Sequence, residues 1–166
     1  PIVAQVNSLA ASAAYWIAAA ADEVVVTPSG DAGSVGVLAV HYDVSESNEM
    51  VGVKPTYIHY GKYKVEGNED EPLSDEARDE IQRRVDEAGE VFVSALTKYR
   101  GVSKTKVSGQ FGQGRMFGAE ESISRGMADR TGTLEETISR LTPRRRSSGK
   151  RKSAAVRRRI NLARLS

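Results

Sequence analysis

Ser12 is the residue of this 166-residue chain whose type and setting could do chemistry. It follows a β-branched apolar run, Pro1 to Val6, and an Asn7-Ser8 corner, and it stands where an alanine-rich helix should begin. A serine there lies near backbone N–H groups that have no intrahelical partner, and the positive end of the helix dipole stabilises negative charge beside it. Ala10, Ala11, Ala13 and Ala14 are small enough to let a substrate backbone approach. Serine is also a common helix N-cap, serving only the first turn, so the residue pattern leaves both readings open. The chain has two histidines, His41 and His59, and neither stands in a recognisable Ser-His-Asp context. It has no cysteine, which removes thiolate nucleophiles, thiolate metal sites and disulfides. No metal or cofactor is expected.

The text around Ser12 narrows the choice. Leu9-Ala10-Ala11-Ser12, Tyr15, Ala21-Asp22-Glu23, Thr27-Pro28 and Gly33-Ser34-Val35-Gly36 occur in an order that resembles the nucleophile region of peptidase family S49, the signal peptide peptidases and phage prohead proteases. Downstream, Tyr60-Gly61-Lys62-Tyr63-Lys64-Val65-Glu66-Gly67-Asn68 resembles the capsid-protease branch, and Lys64 falls on the family's general-base lysine. The resemblance runs from Pro1 to about Leu141. It implies a serine endopeptidase with a Ser12/Lys64 dyad, with Ala13 giving one backbone oxyanion donor and a loop upstream of Pro1 giving the other. It also implies a homo-oligomeric ring in which neighbouring protomers complete each site. The implied substrate is a peptide or protein, either a capsid or scaffold protein in phage maturation or a signal peptide. The chain opens on a strand without an initiator Met, so the family's first strands are expected to lie outside it.

Such a dyad has a defined physical requirement. A serine hydroxyl is a poor nucleophile until a neighbouring base takes its proton. An ordinary lysine titrates near 10.4 and is neutral in only about one molecule in a thousand near pH 7.4; a shift of ~3 units, ~4 kcal/mol, makes it a base. Burial on assembly would supply that shift. If Gly61–Val65 is extended, Lys62 and Lys64 share a face and the second cation disfavours protonation further, while Glu66 would oppose it.

Charge divides the chain in two. Residues 143–166 carry ten of the 24 basic side chains and none of the 22 acidic ones, leaving 14 against 22, a net of −8, in the first 142. The sequence therefore reads as a catalytic core, 1–142, and a basic tail, 143–166, expected to be disordered and open to a nucleic acid or an acidic partner. No apolar run reaches membrane-spanning length, since Ala10–Ala21 is short and followed by Asp22-Glu23. A host-cytoplasm or prohead location is expected, with a membrane anchor upstream of Pro1 left open. Two other functions stay in view: a crotonase-like acyl-CoA enzyme, for which the Ser12/Lys64 text is the wrong type, and a non-catalytic assembly protein using the basic arm.

The elements that must hold Ser12 alternate between strand and helix. Glu23–Thr27, Val35–Tyr42 and Thr56–Tyr60 read as strands, and an amphipathic segment lies around Val44–Val51. A long helix over Asp75–Tyr99, capped by Ser74, should bury a stripe of Ala77, Ile81, Val85, Ala88, Phe92, Leu96 and Tyr99. A short turn from Lys104 to Ser108, a glycine loop over Gln110–Gly114, a helix over Ala119–Arg125, a strand at Met127–Asp129 and a helix over Leu134–Leu141 complete the body. The alternation gives an α/β class. The resemblance narrows it to a partial ClpP/crotonase-like spiral of ββα units.

Overall fold

The computed structural model describes residues 1–142, so the expected basic tail lies outside the described residues. Two ββ steps begin the chain, and each places one strand in each of two sheets. Strands β1 (Val3–Val6) and β2 (Leu9–Ala11) precede helix α1 (Ala13–Ala19), and strands β3 (Glu23–Val26) and β4 (Asp31–Gly33) repeat the step. Near the other end, β5 (Met116–Gly118), α5 (Ala119–Arg125) and β6 (Arg130–Thr131) return to both sheets. The first sheet has the order β1-β3-β6 and is parallel throughout, with Val3 opposite Glu23 and Val26 opposite Thr131. The second has the order β2-β4-β5; β2 and β4 are parallel, while β5 runs antiparallel with Gly33 opposite Met116.

The sequence of β3 explains its central place. Val24, Val25 and Val26 are all buried, which suits a parallel strand covered on both faces rather than an alternating one. Around it pack Val6, Tyr15, Phe92, Leu96, Val107, Phe111 and Met127. Tyr15 lies edge-on to Phe111 at 6.5 Å, and its hydroxyl donates to the Met127 carbonyl at 2.9 Å. Burial pushes that hydroxyl far above the usual tyrosine range, so it stays a neutral donor.

Helix α2 (Ser45–Val51) is short and has no buried residue, whereas α3 (Asp75–Arg100) is the longest element. The Ser74 hydroxyl caps α3 by accepting from the Ala77 N–H at 3.2 Å, and Gly101 ends it at φ 62°. Arg100, its side chain only 6% exposed, grips Asp129 with two N–H···O bonds of 2.7 and 3.0 Å, and Asp129 also accepts the Val24 N–H at 2.7 Å. This ties the end of α3 to the central strand. Helix α4 (Lys104–Gln110), capped by Ser103, follows where a mere turn was expected. Residues Pro1–Leu134 form one unit. Helix α6 (Leu134–Leu141), from Glu135 on, belongs to a second; its Ile138 carbonyl accepts from the Thr142 hydroxyl at 2.7 Å.

Five expectations are corrected. Val35–Tyr42 and Thr56–Tyr60 form no strand: apart from Val35, their apolar side chains are largely open, with Ile58 98% and Tyr60 100% exposed. Alternation marks a strand-forming composition, but a strand needs a partner edge, and the described residues offer none there. Gly61–Val65 is not extended, because Lys64 N–H bonds back to Gly61 O at 3.2 Å and Glu66 N–H to Tyr63 O at 3.3 Å, making consecutive turns. The α3 stripe is buried only at Ala77, Phe92 and Leu96, since its first half leaves the core. The last strand starts at Arg130, one residue beyond Met127–Asp129.

Candidate functional site

The corner between β2 and α1 holds Ser12 at φ 52°, ψ −120°. That pair of angles mirrors the first central position of a type II turn and is strained for any residue with a Cβ. Two bonds keep it there: Ser12 N–H donates to Gly33 O at 2.8 Å, and Trp16 N–H donates to Ser12 O at 3.0 Å. The Ser12 side chain makes no capping bond, which decides against the N-cap role left open above. Ser12 is half-buried and lines a cavity of about 580 Å³. Ala13 lines the same cavity, and as the first helical residue it has an N–H without an intrahelical acceptor.

The opposite wall is equally unusual. Among the described residues three non-glycine positions have positive φ: Ser12, Ser34 at 54° and Gln113 at 47°. All three line this one cavity. Ser34 is fixed by its N–H donating to Arg115 O at 2.8 Å, and Gln113 by its side-chain amide donating to Ser108 O at 2.9 Å. Between them the backbone is so close that a Cβ on Gly33, itself at φ 141°, would lie 2.5 Å from the Arg115 carbonyl oxygen. Trp16, Val37, Leu38 and Phe92 supply an apolar wall, in which the Trp16 and Phe92 rings stack at 4.5 Å and 7°. Sequence reasoning gave Trp16 no role, named Ser34 only within the Gly33–Gly36 motif and placed Gln113 only within the Gln110–Gly114 loop. The glycines flanking Gln113 were a signal for its turn, but nothing in the residue Ser34 announces its backbone angle.

None of the described residues lining the cavity is ionisable. Lys64 is not among them; it sits exposed in the 62–67 turn. Lys62 does not crowd it as a second free cation, because it donates to the Tyr63 hydroxyl at 3.0 Å and to Glu76 at 3.3 Å, and these bonds raise its pKa rather than lower it. His41 is engaged with Asn68 O and lines a different groove, while His59 bonds Gly61 O. A larger recess of about 750 Å³ lies between Tyr63, Glu66 and the first turns of α3, lined also by Glu76, Asp79, Glu80 and Arg83. Its lining is mostly acidic and includes none of the three positive-φ residues that converge on the Ser12 cavity. Among the described residues no group of His, Cys, Asp and Glu could hold a metal ion, and no helix is long and apolar enough to cross a membrane.

Comparison with known proteins identifies the family. The model of peptidase family S49 matches residues 1–146, and the chain belongs to that family. It is 33% identical over 139 residues to the head-tail preconnector protein GP5 of Enterobacteria phage P21, covering 84% of this chain and 27% of that protein. It is 32% identical over 129 residues to the capsid assembly protease C of Escherichia phage lambda, covering 78% of this chain and 29% of that one. The chloroplastic serine protease SPPA of Arabidopsis thaliana is 28% identical over 139 residues, covering 83% and 20%. The chain thus spans less than a third of the length of these relatives.

Proposed function

We propose that this chain is the catalytic portion of a serine endopeptidase of phage capsid maturation or scaffold processing, with Ser12 as nucleophile and Lys64 of a neighbouring copy as its base. The observation that carries the reading is the Ser12 cavity itself: three strained residues converge on it, the first helical N–H of α1 adjoins it, and none of the described residues lining it is a base. A nucleophile with an oxyanion donor beside it and no base calls for a base from another chain, and the exposed Lys64 turn is free to enter one. The alternation of strands between two sheets fits a ClpP/crotonase-like spiral, a fold suited to rings. The core is taken as 1–142 and the basic 143–166 arm as a contact for an acidic partner or nucleic acid.

In this mechanism the Ser12 oxygen attacks the scissile carbonyl carbon while the neutral lysine amine takes the hydroxyl proton. The carbonyl oxygen becomes an oxyanion held by the Ala13 N–H, helped by the end of α1. Collapse breaks the C–N bond, and the resulting ammonium returns its proton to the leaving amine. Water then attacks the acyl-serine by the same base route, releasing the acid and restoring Ser12. Assembly is the switch: burying the lysine amine beside Ser12 disfavours its charged form. The second oxyanion donor comes from a segment outside this chain, and its loss costs ~10²–10³ in rate.

The test uses the full-length parent. Single-turnover cleavage of a casein-like protein should be lost in Ser12→Ala and Lys64→Met and kept in His59→Ala and His41→Ala. Mixing the two inactive proteins under subunit exchange should restore activity in proportion to mixed assemblies seen by native mass spectrometry. Activity retained in Lys64→Met, or none restored in demonstrably mixed assemblies, overturns the shared dyad.

A further inference from the structure

A second recess, about 460 Å³, adjoins the Ser12 cavity. Gln113 lines both, and the rest of the recess is formed by Gly109, Gly112, Arg115, Phe117 and Arg125. Its ionisable lining is wholly basic, in a body whose net charge is −8.

The two arginines are held differently. Arg125 is a fixed wall. Its Nε and one terminal nitrogen bond Glu121 at 3.0 and 2.6 Å, its other terminal nitrogen bonds Gln110 O at 2.6 Å, and its guanidinium lies 3.9 Å over the Phe117 ring. Arg115 has a fixed backbone and an unengaged head: its N–H donates to Gly112 O at 3.1 Å, its carbonyl takes the Ser34 N–H at 2.8 Å, and its exposed guanidinium has no hydrogen bond or ion pair among the described residues. The floor between them stays open because Gly112, at φ 87°, has no room for a side chain; a Cβ would fall 2.5 Å from the Phe117 ring. The strained Ser34 that lines the catalytic cavity and the free cation beside it are thus joined by one backbone hydrogen bond.

We infer that this recess binds a carboxylate of the substrate, a few residues from the scissile bond, with Arg115 as the specificity-determining residue. A guanidinium presents a planar fork that matches the two oxygens of a carboxylate. Arg125, whose terminal nitrogens keep further N–H donors beyond those spent on Glu121 and Gln110, completes the cradle from the side. The body's surplus of acid repels such a group elsewhere, so the recess selects where it goes as well as holding it. The inference rests on the reading of the adjoining cavity as a peptidase site.

The experiment measures the full-length parent against peptides that differ by Asp or Asn at one position at a time, each made with an amidated and with a free C-terminus. One position should favour Asp by about tenfold in kcat/KM, the size expected of a charge-assisted pair. Arg115→Gln should erase that ratio, Arg115→Lys should keep part of it, and Arg115→Glu should invert it in favour of Lys at the same position. The same ratios, read as peptide affinity by fluorescence anisotropy on a Ser12→Ala background, do not depend on catalysis. If Ser12→Ala still cleaves, the peptidase reading fails while the ratios stand. A preference found only for peptides with a free C-terminal carboxylate, and lost in Arg115→Gln, assigns the recess to chain ends rather than acidic side chains. No Asp or free-carboxylate preference, or one that survives both Arg115→Gln and Arg115→Glu, overturns the inference.

Discussion

Replacing Ser12 by glycine should make the protein more stable while removing its chemistry. At φ 52°, ψ −120° the serine Cβ pays for a conformation that glycine adopts freely. Strain of this kind is ~1–3 kcal/mol, and glycine's greater loss of freedom on folding returns ~0.5–1 kcal/mol of it. The net is a gain of about 1 kcal/mol, which for a body of this size raises Tm by about 3 °C. Ser12→Ala is the control, because it loses the same hydroxyl and keeps the Cβ; without a capping bond to lose, it should stay within ~0.5 kcal/mol of the parent. Both variants should be inactive, so their difference in stability isolates the backbone from the nucleophile. Differential scanning calorimetry and urea titration on purified Gly and Ala variants give that difference directly. A Gly variant that melts at or below the Ala variant would refute the claim that the corner stores strain.

Other outcomes follow from the same backbone and packing. Gly33→Ala should cost ~3 kcal/mol or more, seen as a fall in urea midpoint, since its Cβ would meet the Arg115 carbonyl oxygen at 2.5 Å in a backbone already at φ 141°. Trp16→Ala should cost ~2–3 kcal/mol by removing the ring stacked on Phe92, and should raise KM for peptides with apolar side chains more than it lowers kcat. Acid should destabilise the fold through Asp129. Burial alone would raise this carboxyl, but the Arg100 guanidinium and the Val24 N–H outweigh it and hold it below the usual carboxylate range. Its contribution is therefore present above about pH 4, where the unfolded carboxyl titrates, and is lost as pH falls through the lower folded value. Asp129→Asn should flatten that acid limb in urea midpoints measured from pH 7 to 3.

Local signals were legible where local chemistry decides the outcome. Ser74, Gly101 and Gly126 marked helix ends that the structure keeps, and the β-branched run of Glu23–Thr27 marked the central strand, which ends at Val26. Ser12 was legible as a helix-start serine in small-residue surroundings. What its residue type could not reveal is the positive φ, because that is imposed from outside, by Gly33 O and by the tight passage of Arg115. Ser34 was hidden for the same reason: its strain comes from chain segments meeting, whereas the turn at Gln113 was signalled by its flanking glycines and only its place in the cavity was not. The failed strands were misread because Val35–Tyr42 and Thr56–Tyr60 have strand composition without a partner edge in the described chain. Ile81 and Val85 in α3 follow the same rule; they instead line a groove with Val37, Leu38, Ala39 and His41, since periodicity names a helix face but not what covers it.

The central claim is that Ser12 is acylated during turnover. It is tested most directly by quenching the full-length parent in acid during cleavage of an activated peptide ester and mapping the trapped acyl group by mass spectrometry. The acyl mass should appear on the peptide that spans Ser12, vanish in Ser12→Ala, and fail to form in Lys64→Met until wild-type Lys64 is supplied by an exchanged subunit. An acyl group trapped on another residue, or undiminished turnover in Ser12→Ala with no adduct at all, would contradict it.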